Sequence, residues 1–307
     1  SSLELMPTPP SPQNQRITLG DLTFQVATWG RNGPNLVLLH GLASTRKIWD
    51  LVAPLLAPYT SIITLDQRGH GDSDKPAVGY DFATISHDLH LALETLSVPR
   101  PIIVGHSWGG NVAVEFASAY PDEVAGIALI DGGLIQISTL PGNSLEKALV
   151  QMAPPVFDNL SETALRRKLS SRTWPHRDQT SLGASLEDII IANFTIKQDD
   201  TITARLSLEN HLKIIKALWD HHPMELLPTI DCPVLLMPAR SSQELNPSPD
   251  LAQISRKEAT ILAAEKVLKT HHTTWLEDSI HDVPLQKPEL VASVLLHHIE
   301  HGIFRSH

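Results

Sequence analysis

"PIIVGHSWGGNVAVEFASAYP", residues 101–121, passes from an apolar run through glycines into a helical pattern. "PIIV" has the composition of a buried strand, and "NVAVEFASAY" spaces its apolar residues as a helix does. Between them, Gly105-His106-Ser107-Trp108-Gly109 fits G-x-S-x-G in the strand–turn–helix setting that this pattern requires. In so tight a turn, side chains at the flanking positions would collide with neighbouring backbone, and glycine relieves the collision. Ser107 is left protruding at a helix N-terminus, where free N–H groups and the positive dipole end stabilise a developing oxyanion. The competing reading is an ordinary glycine-rich βα turn with Ser107 as helix N-cap. The rest of the chain decides between the two.

Outward from this stretch, short apolar runs alternate with helical patterns. "NLVLLH", "SIITLD", "PIIVGH", "GIALID", "CPVLLM" and "HTTWLE" read as strands covered on both faces. "FATISHDLHLALETL" and "NVAVEFASAY" are the helices between them. Strand–helix–strand repetition implies right-handed crossovers and a mainly parallel sheet flanked by helices, an α/β fold. Ahead of it, "ITLGDLTFQVATWG" alternates around Gly20-Asp21 as a β-hairpin. The rhythm breaks between Leu134 and Pro228, where helical stretches such as "SLEKALVQMAP", "SETALRRKLSSR" and "TARLSLENHLKIIKALWDHH" occur without a strong buried strand. The chain therefore divides into a tail (1–15), a core (16–133 and 229–307) and an inserted helical cap or lid (134–228). Such a cap covers the C-terminal sheet edge, where open α/β sheets place their ligands.

The totals narrow the function classes. A formal net charge of −10 in 307 residues speaks against nucleic acid as the main partner. No apolar run reaches the ~18 residues of a membrane span. "SSLELMPTPPSPQNQ" lacks the charged and apolar regions of a signal peptide and reads as a disordered Pro/Ser/Gln tail, its first residues an expression scar. Cys232 is the sole cysteine, which excludes an intrachain disulfide and fits a cytoplasmic setting.

Three further segments favour the catalytic reading of Ser107. "LLHGLAST" puts His40-Gly41-Leu42 just after a strand, where a backbone N–H can complete an oxyanion hole. "LDQRGHGDSDKP", residues 65–76, is a glycine-rich turn after the next strand, and "LEDSIHDVPLQKPELV" places His281 after the last one. From Arg16 onward the chain resembles the α/β-hydrolase fold superfamily, on "HG", "RGHGDS", "GHSWGG" and "IHDVP" together. The resemblance implies Ser107 as nucleophile, His281 as general base, and the amides of Leu42 and Trp108 as oxyanion donors. Chemistry agrees, because a serine hydroxyl needs an adjacent imidazole and the imidazole needs an acceptor on its other nitrogen. Epoxide hydrolases and haloalkane dehalogenases of this fold carry aspartate at the elbow, so Ser107 favours acyl transfer to water.

The third member is where the pattern departs. The usual aspartate position after "CPVLLM" falls near Ser242, with Glu244 two residues late and Asp250 further on. The superfamily's other acid site is the end of the strand after the nucleophile helix, here Asp131 of "GIALIDGG". Asp131 is the expected triad acid and Glu244 the alternative.

Of the 16 histidines, His297 and His301 stand four apart and could share a metal, but no third ligand completes a set. His106 is expected to point away from Ser107, Asp66 and Arg68 to brace their own loop, and His40 to support the oxyanion segment. The Trp108 ring could wall the pocket or pack in the core. The expected activity is a serine hydrolase on small-molecule carboxylic esters, needing no metal or organic cofactor. The alternatives are a lactone or C–C bond hydrolase with the same triad, or a slow-turnover ligand receptor on this fold.

Overall fold

In the computed structural model, which describes residues 10–157, 159–178 and 185–305, the chain begins with the antiparallel pair β1 (Gln13–Leu19) and β2 (Leu22–Trp29). They are joined through Gly20 at φ +62°, the conformation glycine adopts without strain. Because β1 starts at Gln13, the ordered chain begins before the expected boundary at residue 15; residues 1–9 of that tail lie outside the described residues. Next come β3 (Asn35–Leu39), the single turn α1 (Ala53–Leu56), β4 (Ser61–Leu65) and α2 (Phe82–Thr95). The opening stretch forms β5 (Ile102–His106) and α3 (Trp108–Ala119), followed by β6 (Gly126–Ile130).

Why these strands are continuous apolar runs is visible in the pleat. Leu36 and Leu38 join one buried cluster with Trp49, Val104 and Leu295, whereas Val37 and Leu39 join the opposite one with Ile103, Val112 and Phe116. Successive side chains point to opposite faces, and helices cover both.

Beyond β6 the chain leaves the sheet. It forms α4 (Leu145–Gln151), α5 (Glu162–Ser170), α6 (Leu186–Ile191), a small antiparallel hairpin of β7 (Phe194–Ile196) and β8 (Ile202–Ala204), α7 (Leu208–Asp220) and the turn α8 (Pro223–Leu226). The hairpin and α6 were not legible in the sequence. Each strand has three residues, too short for a period, and Phe194, Ile202, Ile191 and Leu165 form a small cluster of their own. Arg205 and Asn210 tie this segment down, the one to Asp72 at 2.6 Å and the other to the Pro76 carbonyl at 3.2 Å.

The chain rejoins the sheet as β9 (Val234–Met237), continues through β10 (Ala239–Arg240) and α9 (Leu251–Val267), and reaches β11 (His271–Thr273) and β12 (Leu276–Glu277). The expected single strand "HTTWLE" is thus two pieces: β11 pairs with β9, and β12 pairs with β10. The turn α10 (Val283–Gln286) and α11 (Pro288–Glu300) follow.

The eight-stranded sheet has the order β1-β2-β4-β3-β5-β6-β9-β11, parallel from β4 onward. From β3 the chain crosses to β4 on one side, then returns past β3 to β5 on the other. The C-terminal ends of β3 and β5 therefore flank a topological switch point, where a crevice opens. His40–Ala43 and Ser107 lie at those two ends.

Candidate active site

Ser107 has φ 55° and ψ −125°, a strained backbone for a residue with a side chain, at a cost of about 1–3 kcal/mol. The surroundings hold it there. A Cβ on Gly105 would stand 2.3 Å from the Gly109 carbonyl oxygen, and one on Gly109 would stand 2.5 Å from those of Leu39 and His40. Only glycine fits either position.

The turn aims Ser107 at His281, whose loop follows β12. Ser107 Oγ is 3.0 Å from His281 Nε2, and His281 Nδ1 is 2.6 Å from Asp131 Oδ2. Asp131 ends β6, itself at φ 44°, with only 8% of its side chain exposed; that of His281 is 55% exposed. Asp131 Oδ1 accepts from the Ala239 amide at 2.9 Å and from Lys257 of α9. Burial alone would raise the Asp131 pKa, but His281 and Lys257 outweigh it and hold the carboxyl at about 2. For His281, partial burial opposes the charged form, yet the hydrogen bond and charge of Asp131 prevail and raise its pKa. The pair is thus a carboxylate and an imidazole with its Nδ1–H committed to it.

His106 points away from Ser107 and donates from Nε2 to the His281 backbone carbonyl at 2.8 Å. That contact was not read from the sequence, because the two residues are 175 apart. Lys257 was also missed, since an isolated lysine on an exposed helix carries no pattern.

The segment after β3 runs against the nucleophile: a Cβ on Gly41 would lie 3.2 Å from Ser107 Cβ. Two neutral histidines pin it. His40 donates from Nδ1 to the Gly41 carbonyl at 2.7 Å and accepts the Gln67 amide on Nε2 at 3.0 Å. His70 accepts the Ala43 amide on Nε2 at 3.1 Å and donates from Nδ1 to the Arg68 carbonyl at 2.9 Å. Burial lowers their pKa values to about 4 and about 3. Among the described residues the fold uses neither the Leu42 nor the Trp108 amide in its own hydrogen bonds. Leu42 follows Gly41, which packs against Ser107, and Trp108 follows Ser107 directly, so both unused amides belong to residues next to the serine.

Asp66 is fully buried and accepts from the Arg46 amide (2.7 Å), the Arg46 guanidinium (2.6 Å) and the Asp72 amide (2.9 Å). Arg68 reaches α2, where its guanidinium clamps Asp88 through two bonds of 2.8 and 2.9 Å. The Trp108 ring is buried, stacked on His70 at 5.4 Å. Glu244 is 78% exposed and pairs with His176 at 3.2 Å, so it is not the carboxylate that meets His281. His297 and His301 have ring centroids 6.3 Å apart, and among the described residues no group of three or more His, Cys, Asp or Glu could hold a metal ion. Burial pushes the Cys232 thiol up to about 11, which leaves it a poor nucleophile near neutrality.

A cavity of about 420 Å³ is lined by Leu42 of the segment after β3 and by Asp282, the residue after His281, though by none of Ser107, His281 and Asp131 themselves. Leu42, Ala43 and Ile48 form one wall, with Asp282 and Leu285 beside His281. Met152, Phe157, Phe194 and Leu206, all from the 134–228 segment, close the other wall. Trp219 packs on the main buried cluster instead. Among the described residues no helix is long and apolar enough to cross a membrane.

The family model described as alpha/beta hydrolase fold matches residues 34–172. A 2-(acetamidomethylene)succinate hydrolase of Mesorhizobium japonicum is 35% identical over 118 residues, 38% of this chain and 42% of that protein. A fluoroacetate dehalogenase of Burkholderia sp is 34% identical over 124 residues, covering 39% and 40%. Lipase LipV of Mycobacterium tuberculosis is 31% identical over 173 residues, covering 56% and 63%. The chain thus spans less than two thirds of the length of each of these relatives. The crystal structure of E-2-(acetamidomethylene)succinate hydrolase superposes with a TM-score of 0.72 at 22% identity, over 94% of this chain and 100% of that one, a likeness of fold. From sheet order, serine-bearing turn and these matches together, the chain has the α/β-hydrolase fold, and its residues 34–172 match that family's model and resemble hydrolases of this fold.

Proposed function

We propose that the chain is a serine hydrolase that cleaves carboxylic esters through an acyl-enzyme. The observation that carries this reading is the continuous line from Ser107 Oγ through His281 to Asp131, at 3.0 and 2.6 Å. Ser107 Oγ attacks the ester carbonyl carbon as its proton passes to His281 Nε2. The Leu42 and Trp108 amides receive the oxyanion, and Asp131 stabilises the imidazolium. Collapse breaks the bond to the alcohol oxygen, which leaves with the proton from His281. Water repeats the attack, releasing the carboxylic acid and restoring Ser107.

The nucleophile separates this chemistry from that of the aspartate-bearing dehalogenases and epoxide hydrolases of the same fold. Residues 134–228 act as the cap, because their apolar side chains complete a cavity whose other wall includes Leu42 and Asp282, close in sequence to the proposed oxyanion segment and base. Some 420 Å³ suits a small or medium ester, within the range typical of ligand pockets. A fluorophosphonate probe tests the assignment: the parent takes one label and Ser107→Ala takes none. A p-nitrophenyl ester panel, run beside a lactone set, tests the bond cleaved. Labelling that survives the substitution refutes the nucleophile, and lactones outpacing all esters refute the substrate class.

A further inference from the structure

Lys257 lies outside every motif, yet its Nζ reaches the innermost polar cluster of the site. It donates to Asp131 Oδ1 and, at 2.6 Å, to the Ala239 carbonyl. The Ala239 amide in turn donates to the same Asp131 Oδ1 at 2.9 Å. One carboxylate oxygen is therefore held by two donors, and the other is presented to His281. The helix that brings Lys257 there has little other purchase: of α9, only Ile261 and Ala264 are buried, while Leu251, Ile254 and Leu262 are exposed. Neither structural packing nor surface pairing accounts for a lysine that turns inward to a buried carboxylate.

We propose that Lys257 is a positioning residue which partly neutralises Asp131 and thereby sets the pH at which His281 becomes free to act as base. This rests on the proposed serine-hydrolase reading of the same site. An aspartate that serves a single imidazole favours the imidazolium strongly, because an opposite charge in contact stabilises the protonated form. With a lysine on its other oxygen, that carboxylate attracts the imidazolium less, and the lysine charge itself opposes protonation of His281. The other groups facing His281 are Ser107, which is neutral at working pH, and His106, whose ring is tilted against it at 5.0 Å and kept neutral by burial. Asp282, the next residue, acts in the same direction as Asp131. Lys257 is the cation on the opposite side of the balance. It keeps more of His281 unprotonated at mildly acidic pH than the two carboxylates alone would allow.

The experiment is the rate of Ser107 labelling by a fluorophosphonate, followed from pH 5 to 9, which needs no natural substrate. In Lys257→Gln the acid limb moves to higher pH by about half a unit to one unit, the displacement expected when a partly solvent-screened neighbouring charge is removed. At pH 6 this reads as a three- to tenfold slower label, converging with the parent near pH 9. Lys257→Arg keeps the positive charge and stays within about 0.2 unit of the parent. A neutral variant with an unmoved acid limb overturns the inference, as does Lys257→Arg moving as far as Lys257→Gln. Melting curves of both variants accompany the profiles; if Lys257→Gln is unfolded, Lys257→Met is read against Lys257→Arg by the same criterion. Failure of the underlying reading shows separately, as label persisting in Ser107→Ala.

Discussion

His106 Nε2 donates its proton to the backbone carbonyl of His281 at 2.8 Å, so the residue next to the proposed nucleophile holds the loop of its proposed base. The bond fixes the tautomer of His106 and leaves Nδ1 buried without a partner. A buried imidazole with one unmade bond costs about 1–3 kcal/mol. The compensation is registry between the end of β5 and the loop after β12.

Replacing His106 should therefore harm catalysis more than binding. His106→Leu removes the donor, and kcat should fall about tenfold or more while KM changes little. His106→Gln can still donate and should recover part of the loss. Steady-state kinetics on a p-nitrophenyl ester measure both, and a KM effect larger than the kcat effect would show that His106 shapes the pocket instead.

Asp131 and Glu244 give the most direct ranking test. Asp131 is in contact with His281 Nδ1, whereas Glu244 sits in an exposed pair with His176. Loss of the carboxylate frees the imidazole to take the wrong tautomer and removes support for the imidazolium, costing up to ~10⁴ in kcat in the serine-protease precedent. Asp131→Asn should lose two or more orders of magnitude in kcat, with its fold checked by circular dichroism. Glu244→Gln should stay within a few-fold of the parent. The opposite order would remove Asp131 from the role proposed for it.

How much of this was legible follows from the range of each signal. The elbow was legible because Gly105, Ser107 and Gly109 are adjacent in sequence and each answers a local steric demand. Asp131 was legible as the end of a recognisable strand, once Ser242 had left the usual acid position empty of a carboxylate. His106 holding His281 and Lys257 holding Asp131 span 175 and 126 residues, and no local pattern encodes such pairs. The β7–β8 hairpin was hidden for another reason. Its Thr195 and Thr203 alternate with apolar residues over too few positions to beat the helical segments around them.

Acid should unfold the protein well before it protonates Asp131. His40, His70 and His106 are buried, with pKa values lowered to about 4, 3 and 4, while the unfolded chain binds protons on them near 6.5. Their folded-state values are depressed, so stability is full above about pH 6.5 and falls as the pH drops toward 4, where unfolding takes up protons. Asp50, raised to about 6 by burial, and His281 oppose this trend, but by less. Asp131 keeps its contribution above its unfolded value of 3.8 and loses it only as pH falls toward 2. Each proton taken up on unfolding weakens the fold by about 1.4 kcal/mol for every pH unit below 6.5, so the three histidines together lose several kcal/mol by pH 5. The melting temperature should drop by roughly 10 °C or more between pH 7 and pH 5. A flat profile over that range would mean that these rings are hydrated or charged in the folded state.

Met152 tests whether the 134–228 segment sets acyl preference. It sits at the C-terminal end of α4, its carbonyl accepts His211 Nε2–H at 2.8 Å, and its side chain walls the cavity opposite Leu42. The backbone bond survives a change of side chain, so substitutions here alter the wall with little effect on its support. Each methylene buried against an apolar wall is worth about 0.8 kcal/mol, close to fourfold in kcat/KM. Met152→Trp should shorten the accepted chain, lowering kcat/KM for octanoyl relative to acetyl p-nitrophenyl esters by tenfold or more. Met152→Ala should shift the preference toward longer acyl groups. Trp219 packs on the main buried cluster and is absent from this wall, so Trp219→Phe should change all acyl lengths by a similar factor. If the Met152 variants scale every ester equally and Trp219→Phe does not, the acyl group lies elsewhere and residues 134–228 have a different task.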